Sequence, residues 1–160
     1  MSTEQLPAAL IRQAQRSDTN DLIEIYCSNG FLAFSPSRPS RDLIAATVVS
    51  YLDLLESAPE SITFLVIGAS TKVLGFSIAR MAARRVWELQ IGVHAAQRSQ
   101  GIGGALMRRI FTEIRSRGPG QCEAIVHSNN AASIRIATRF FQSRENVEAL
   151  PGYVKFRSSW

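Results

Sequence analysis

The chain has 160 residues, 46% of them hydrophobic and 19% charged, a balance that predicts a soluble globular protein with a core of its own. No apolar run approaches the roughly 18 residues that a membrane span needs, and the two cysteines, Cys27 and Cys122, lack metal-type spacing. The net charge of +5 and a pI near 9.9 favour an anionic partner. The arginines are scattered rather than gathered in a tail or interleaved with aromatics, which argues against nucleic acid.

The opening MSTEQLPAALIRQ has no basic-then-apolar pattern, so the expected compartment is cytoplasmic and the thiols reduced. Residues 9–15 alternate as a first strand, with Asp18 or Thr19 capping a helix whose Leu22, Ile25 and Tyr26 share a face. Gly, Pro and Ser make 30–40 a loop. Ser40 caps a second helix with an apolar stripe of Leu43, Ile44, Val48, Leu52 and Leu55, ended by Pro59. Runs 62–69 and 73–83 read as a hairpin, and 85–94 as the next strand. Leu106, Met107, Ile110, Phe111 and Ile114 then repeat with a helical period, leaving Arg108, Arg109, Glu113 and Arg115 on the wet side until Gly118-Pro119-Gly120. Residues 122–127 form a strand, Asn129 or Asn130 caps a helix over 131–141, and 152–158 closes the chain as a strand. This order predicts one α/β (α+β) domain over 1–160, with a mixed sheet and no double winding.

Between the third of those strands and the periodic helix stands Arg98-Ser99-Gln100-Gly101-Ile102-Gly103-Gly104, with three of the chain's ten glycines in four positions. Glycine at a helix start loses conformational entropy and adds no side-chain contact. In return it lets an anion approach amides that have no helical partner and carry the positive end of the helix dipole. The P-loop is excluded, since no Lys-Ser or Lys-Thr follows Gly104. The dinucleotide fingerprint lacks its last glycine.

Arg98-x-x-Gly101-x-Gly103, after Leu89-x-Ile91-x-Val93-His94, resembles the pyrophosphate-binding motif of the GNAT superfamily of acyl-CoA-dependent acetyltransferases, with Ala95 where the family usually has proline. Asn130-x-x-Ser133-Ile134-x-Ile136 is similar to the family's second motif, and the order of elements matches over most of the chain. The resemblance implies a mostly antiparallel sheet flanked by helices and splayed between its fourth and fifth strands. It implies acetyl-CoA as co-substrate and no metal. Ile91, Val93, the stretch Arg98, Ser99, Gln100, Gly101, Ile102, Gly103, Gly104, and Asn130 and Ser133 would bind it. Arg135 and Arg139 are further candidates for its phosphates or members of a solvated helix face.

The reaction so implied is direct transfer of an acetyl group to the amine of a small molecule or peptide. No nucleic acid or membrane partner is expected, and a homodimer is admitted. The second motif departs from the family at Ala137, where a tyrosine often protonates the departing thiolate, and at Phe141, where a glycine is usual. A base must accept the amine's proton, and Glu88, His94 and His127 are the candidates, with Glu88 preferred and His127 the alternative. Strand parity sets Glu88 and Leu89 on opposite faces unless a bulge intervenes, and the resemblance implies such a bulge. Tyr153 and Tyr26 are further candidate acids. Phe31 and Phe34 in the apolar part of the 29–40 loop would either lid an acceptor pocket or pack beneath the loop. Alternative readings on the same cofactor are transfer to a hydroxyl, longer-acyl transfer, decarboxylation, or a non-catalytic acyl-CoA-binding domain.

Overall fold

The computed structural model of the chain describes residues 11–28, 32–69 and 71–160. In chain order the elements are β1 (Ile11–Gln13), α1 (Thr19–Cys27), α2 (Arg41–Ser57), β2 (Ile62–Ala69), β3 (Lys72–Ala83), β4 (Val86–Val93), α3 (Ile102–Arg115), β5 (Gln121–His127), α4 (Ala131–Phe140), β6 (Ser143–Asn146) and β7 (Tyr153–Ser159). The strands form a seven-stranded sheet in the order β1-β2-β3-β4-β5-β7-β6. Every neighbouring pair is antiparallel except β4 and β5, which the α3 crossover makes parallel.

Local sequence sets most of these boundaries. Ser40 Oγ accepts the amide of Leu43 at 3.2 Å and starts α2. Asn130 Oδ1 accepts the amide of Ser133 at 3.2 Å and starts α4. Asp18 occupies the N-cap position of α1, but its carboxylate turns back to the Gln15 amide and the Arg12 guanidinium. The α2 stripe keeps Ile44, Val48, Leu52 and Leu55, whereas Leu43 lies one position off it and is 57% exposed. The short strand β6 is absent from the sequence reading because all four of its residues, SREN, are exposed and polar. Only its pairing with β7 makes it a strand.

Two apolar layers sandwich the sheet. On one face Ile62, Phe64, Val66, Phe76 and Ile78 pack against α1 and α2. On the other, Leu65, Ile67, Trp87, Leu89, Cys122, Ala124 and Phe156 pack against α3 and α4. Among the described residues no helix is long and apolar enough to cross a membrane.

Candidate active site

Strands β4 and β5 pair only over Val86–Glu88 and Gln121–Glu123. Beyond that point each keeps its other neighbour, β3 or β7, and the two separate. The sheet therefore opens between them as a V with Glu88 and Glu123 at its apex.

At the open end β4 runs into a turn and then α3. His94 Nδ1 accepts the Ala96 amide at 3.3 Å, while Ser99 and Gly101 take left-handed backbone conformations with φ of 66° and 78°. The first helical bond of α3 runs from the Ala105 amide to Gly101 O at 3.0 Å, so the amides of Ile102, Gly103 and Gly104 precede it, and no side chain caps them. Arg98, Ser99, Gln100 and Gly101 are exposed around these donors. A Cβ at Gly104 would meet only Arg108 Nη1 at 3.8 Å, whereas one at Gly103 would come within 2.8 Å of Ile136 Cδ1 on α4. The glycines therefore divide their work: Gly101 permits the backbone turn, Gly103 the close approach of α3 and α4, and Gly104 leaves the helix start open. Ile102 is buried in the core rather than displayed at the turn.

Ile91 and Val93 are partly buried on the α3 side of β4. Across the gap Asn130 and Ser133 sit half-buried in the first turn of α4. Gly103 lies against Ile136 and near Val93, so the start of α3, the end of β4 and the first turns of α4 meet there. Arg135 and Arg139 are exposed on α4. Ala137, 2% exposed in the α3–α4 core, offers no proton.

The remaining candidates lie elsewhere. β4 pairs with β3 without interruption from Trp87 to Val93, and the irregularity falls on β3 between Met81 and Ala83. The bulge expected in β4 is therefore not there, and Glu88 faces the α1–α2 side while Leu89 faces α3. Glu88 is half-exposed and accepts from Arg80 Nη2 at 3.0 Å. Glu123 is more engaged, receiving Gln121 Nε2 at 2.7 Å, Arg157 Nε at 3.0 Å and Lys155 Nζ at 3.6 Å. His127 ends β5, about 13 Å along the strand from Glu123 at the usual rise per residue. It accepts the Asn129 amide on Nδ1 at 3.1 Å, which puts the neutral ring's proton on Nε2. Its ring lies 4.9 Å from Tyr153 and 5.5 Å from Phe34, and Tyr153 Oη donates to Phe34 O at 3.1 Å. Glu88 and His127 thus mark the apex and the mouth and do not form one acid–base pair. Phe31 lies outside the described residues.

Tyr26 is buried, its hydroxyl donates to Gln90 Oε1 at 3.0 Å, and burial holds its pKa well above the ordinary range. Sequence reasoning missed Tyr51, Arg80 and Gln90, which join Glu88 around a cavity on the α1–α2 face. Strand alternation could have grouped Gln90 with Glu88, but nothing in the sequence pointed to Tyr51 or Arg80.

The chain matches the model of the acetyltransferase (GNAT) family over residues 20–141. No curated protein sequence matches it. Among solved structures it is similar to a ribosomal-protein-alanine N-acetyltransferase from Brucella melitensis, with a TM-score of 0.74, 19% identity and coverage of 94% of this chain and 99% of that one. The PaiA N-acetyltransferase from Thermoplasma acidophilum, solved with coenzyme A, gives a TM-score of 0.73 at 17% identity, covering 94% and 98%. A phosphinothricin acetyltransferase from Sinorhizobium meliloti, solved with acetyl-CoA, gives 0.69 at 19% identity, covering 93% and 86%. At these identities the structural likeness is one of fold. Taken with the family match over three quarters of its length and the sheet that opens between β4 and β5, the chain belongs to the GNAT acetyltransferase family.

Proposed function

We propose that the protein transfers an acetyl group from acetyl-CoA to an amine, with the cofactor in the V between β4 and β5. The observation that carries this reading is the opening itself: strands that part after Glu88 and Glu123, with uncapped amides of α3 at the wide end. Acetyl-CoA supplies an activated thioester and a thiolate leaving group. The amides of Ile102, Gly103 and Gly104 and the side chains of Arg98, Ser99 and Gln100 hold its pyrophosphate at the helix start. Ile91 and Val93 line the pantetheine arm, and Asn130 and Ser133 border it from α4. Fit is supported by the open space above Gly104 and Gly101.

Glu88 takes the proton of the attacking amine, directly or through one water, at the apex where the thioester would end. Ala137 supplies no proton, so solvent in the open cleft protonates the thiolate. His127, Phe34 and Tyr153 border the route by which the acceptor enters.

Incubating the protein with acetyl-CoA and a panel of amines, while following thiol release, tests the transfer. In Glu88→Gln the rate with a competent amine should fall by about 10²–10⁴-fold at pH values where that amine is protonated and recover at high pH. The affinity for acetyl-CoA should be unchanged. A variant with the parent's pH–rate profile would assign the proton to another group.

A further inference from the structure

Glu88 does not stand free. Arg80 is its register partner on β3, and the guanidinium donates to the Glu88 carboxylate at 3.0 Å. With Tyr51 of α2, Ile78 and Gln90, the pair lines a cavity of about 50 Å³. That is several times the about 10–15 Å³ a single water needs, which leaves room for a carboxylate. Its polar lining is unequal. Arg80 carries five N–H donors and uses one on Glu88. Gln90 spends its carbonyl on Tyr26 Oη, so its amide nitrogen is left to donate. Tyr51 adds a hydroxyl that partial burial keeps protonated. Against these three donor groups stands one anion, Glu88.

We propose that this cavity receives the carboxylate of the acceptor, which makes the acceptor a free amino acid or a similarly compact zwitterion. The inference rests on the acyl-transfer reading of the same cleft. A simple ammonium would have to approach Glu88 beside the like charge of Arg80 and leave the guanidinium without its partner. A zwitterion exchanges one ion pair for two: its ammonium takes Glu88 and its carboxylate takes the fork of Arg80, with Gln90 and Tyr51 donating beside it. The ammonium is thereby set next to the base, at the apex of the V. A neutral carboxamide would fit the space but forgo the charge-assisted bonds.

The test compares each proteinogenic amino acid with its carboxamide and its decarboxylated amine. Binding is read by calorimetry in the presence of coenzyme A, and turnover by thiol release from acetyl-CoA. At least one amino acid should bind, and be turned over, about 10-fold or more better than both counterparts, the discrimination expected of bonds to a charged group. In Arg80→Gln that ratio should fall toward one, through KM rather than kcat. Arg80 is half-exposed, so this variant should fold, and its melting-temperature rise with acetyl-CoA serves as the control. Turnover of decarboxylated amines or carboxamides at least as fast as that of amino acids would overturn the inference and leave acyl transfer standing. So would a ratio that Arg80→Gln does not move, or an absence of amino-acid binding. Arg80-dependent binding of an amino acid with no thiol release from any amine would overturn acyl transfer and leave the cavity's ligand class intact.

Discussion

At the scale of single residues, the glycines of the β4–α3 turn are separable by experiment. Gly104 has open space where a Cβ would stand, and helical Cβ atoms tilt toward the N-terminus, here toward the free amides. Gly104→Val should fold and lose most of the melting-temperature rise that acetyl-CoA confers. Gly103→Val should lower the melting temperature without ligand, because its side chain meets Ile136 of α4 rather than the cofactor. Thermal scans of both variants with and without acetyl-CoA check the division, and equal ligand shifts in Gly104→Val and the parent would refute it.

Asp18 offers a second test at this scale. Burial pushes its carboxyl up, but the Arg12 guanidinium at 2.7 and 2.8 Å and the Gln15 amide at 2.8 Å outweigh that, and its pKa lies below the ordinary value. A depressed folded-state pKa means stability that is complete above the unfolded pKa, near pH 4, and lost as pH falls toward the folded value. Asp18→Asn should therefore cost about 1 kcal/mol at neutral pH and flatten the acid limb of a denaturant titration below about pH 4.

Among the elements, the end of α3 is tied to the start of β2 by one side chain. Arg117 Nη1 donates to Pro59 O, Glu60 O and Ile62 O at 3.0–3.1 Å, and its guanidinium lies 5.3 Å from the centre of the Trp87 ring. Three carbonyls at the end of the α2–β2 connection thus share one cation. Arg117→Met should lower stability by about 1–2 kcal/mol, or roughly 3–6 °C in melting temperature. Arg117→Lys should recover little, since an ammonium cannot both span the three carbonyls and stack on an indole. Near-complete rescue by lysine would reduce the contact to simple charge.

Across the whole molecule, the sheet is two unequal blocks joined at the apex of the V and, on one face, through the shared α3–α4 layer. β2, β3 and β4 carry helices on both faces, whereas β5, β7 and β6 are covered on the α3–α4 side and leave Ile125 half-exposed on the other. Few buried contacts mean a lower local opening free energy. Amides of β6 and β7 should therefore exchange with deuterium faster than those of β2 and β3. Acetyl-CoA, bridging the blocks, should slow exchange chiefly at the start of α3 and the facing ends of β4 and β5. Uniform slowing across the sheet would place the ligand elsewhere. The excess of five positive charges suits such a polyanionic ligand, but charge alone does not select it.

What the sequence determined by itself was local. Apolar period, caps and turn residues fixed α2, α3 and the β2–β3–β4 meander. The cluster of glycines beside Arg98 marked the β4–α3 turn and its uncapped helix start, because short-range backbone chemistry is written in neighbouring residues. The tertiary structure decided everything that depends on register across strands. It turned polar SREN into a strand by pairing it with β7. It kept β4 regular and so put Glu88 on the α1–α2 face, opposite Leu89. It set Arg80 and Tyr51 beside Glu88 from positions 8 and 37 residues earlier in the chain. A side chain's face is fixed by its own strand, but its neighbours are fixed by which strand or helix lies alongside, and that is settled only when distant apolar surfaces bury one another.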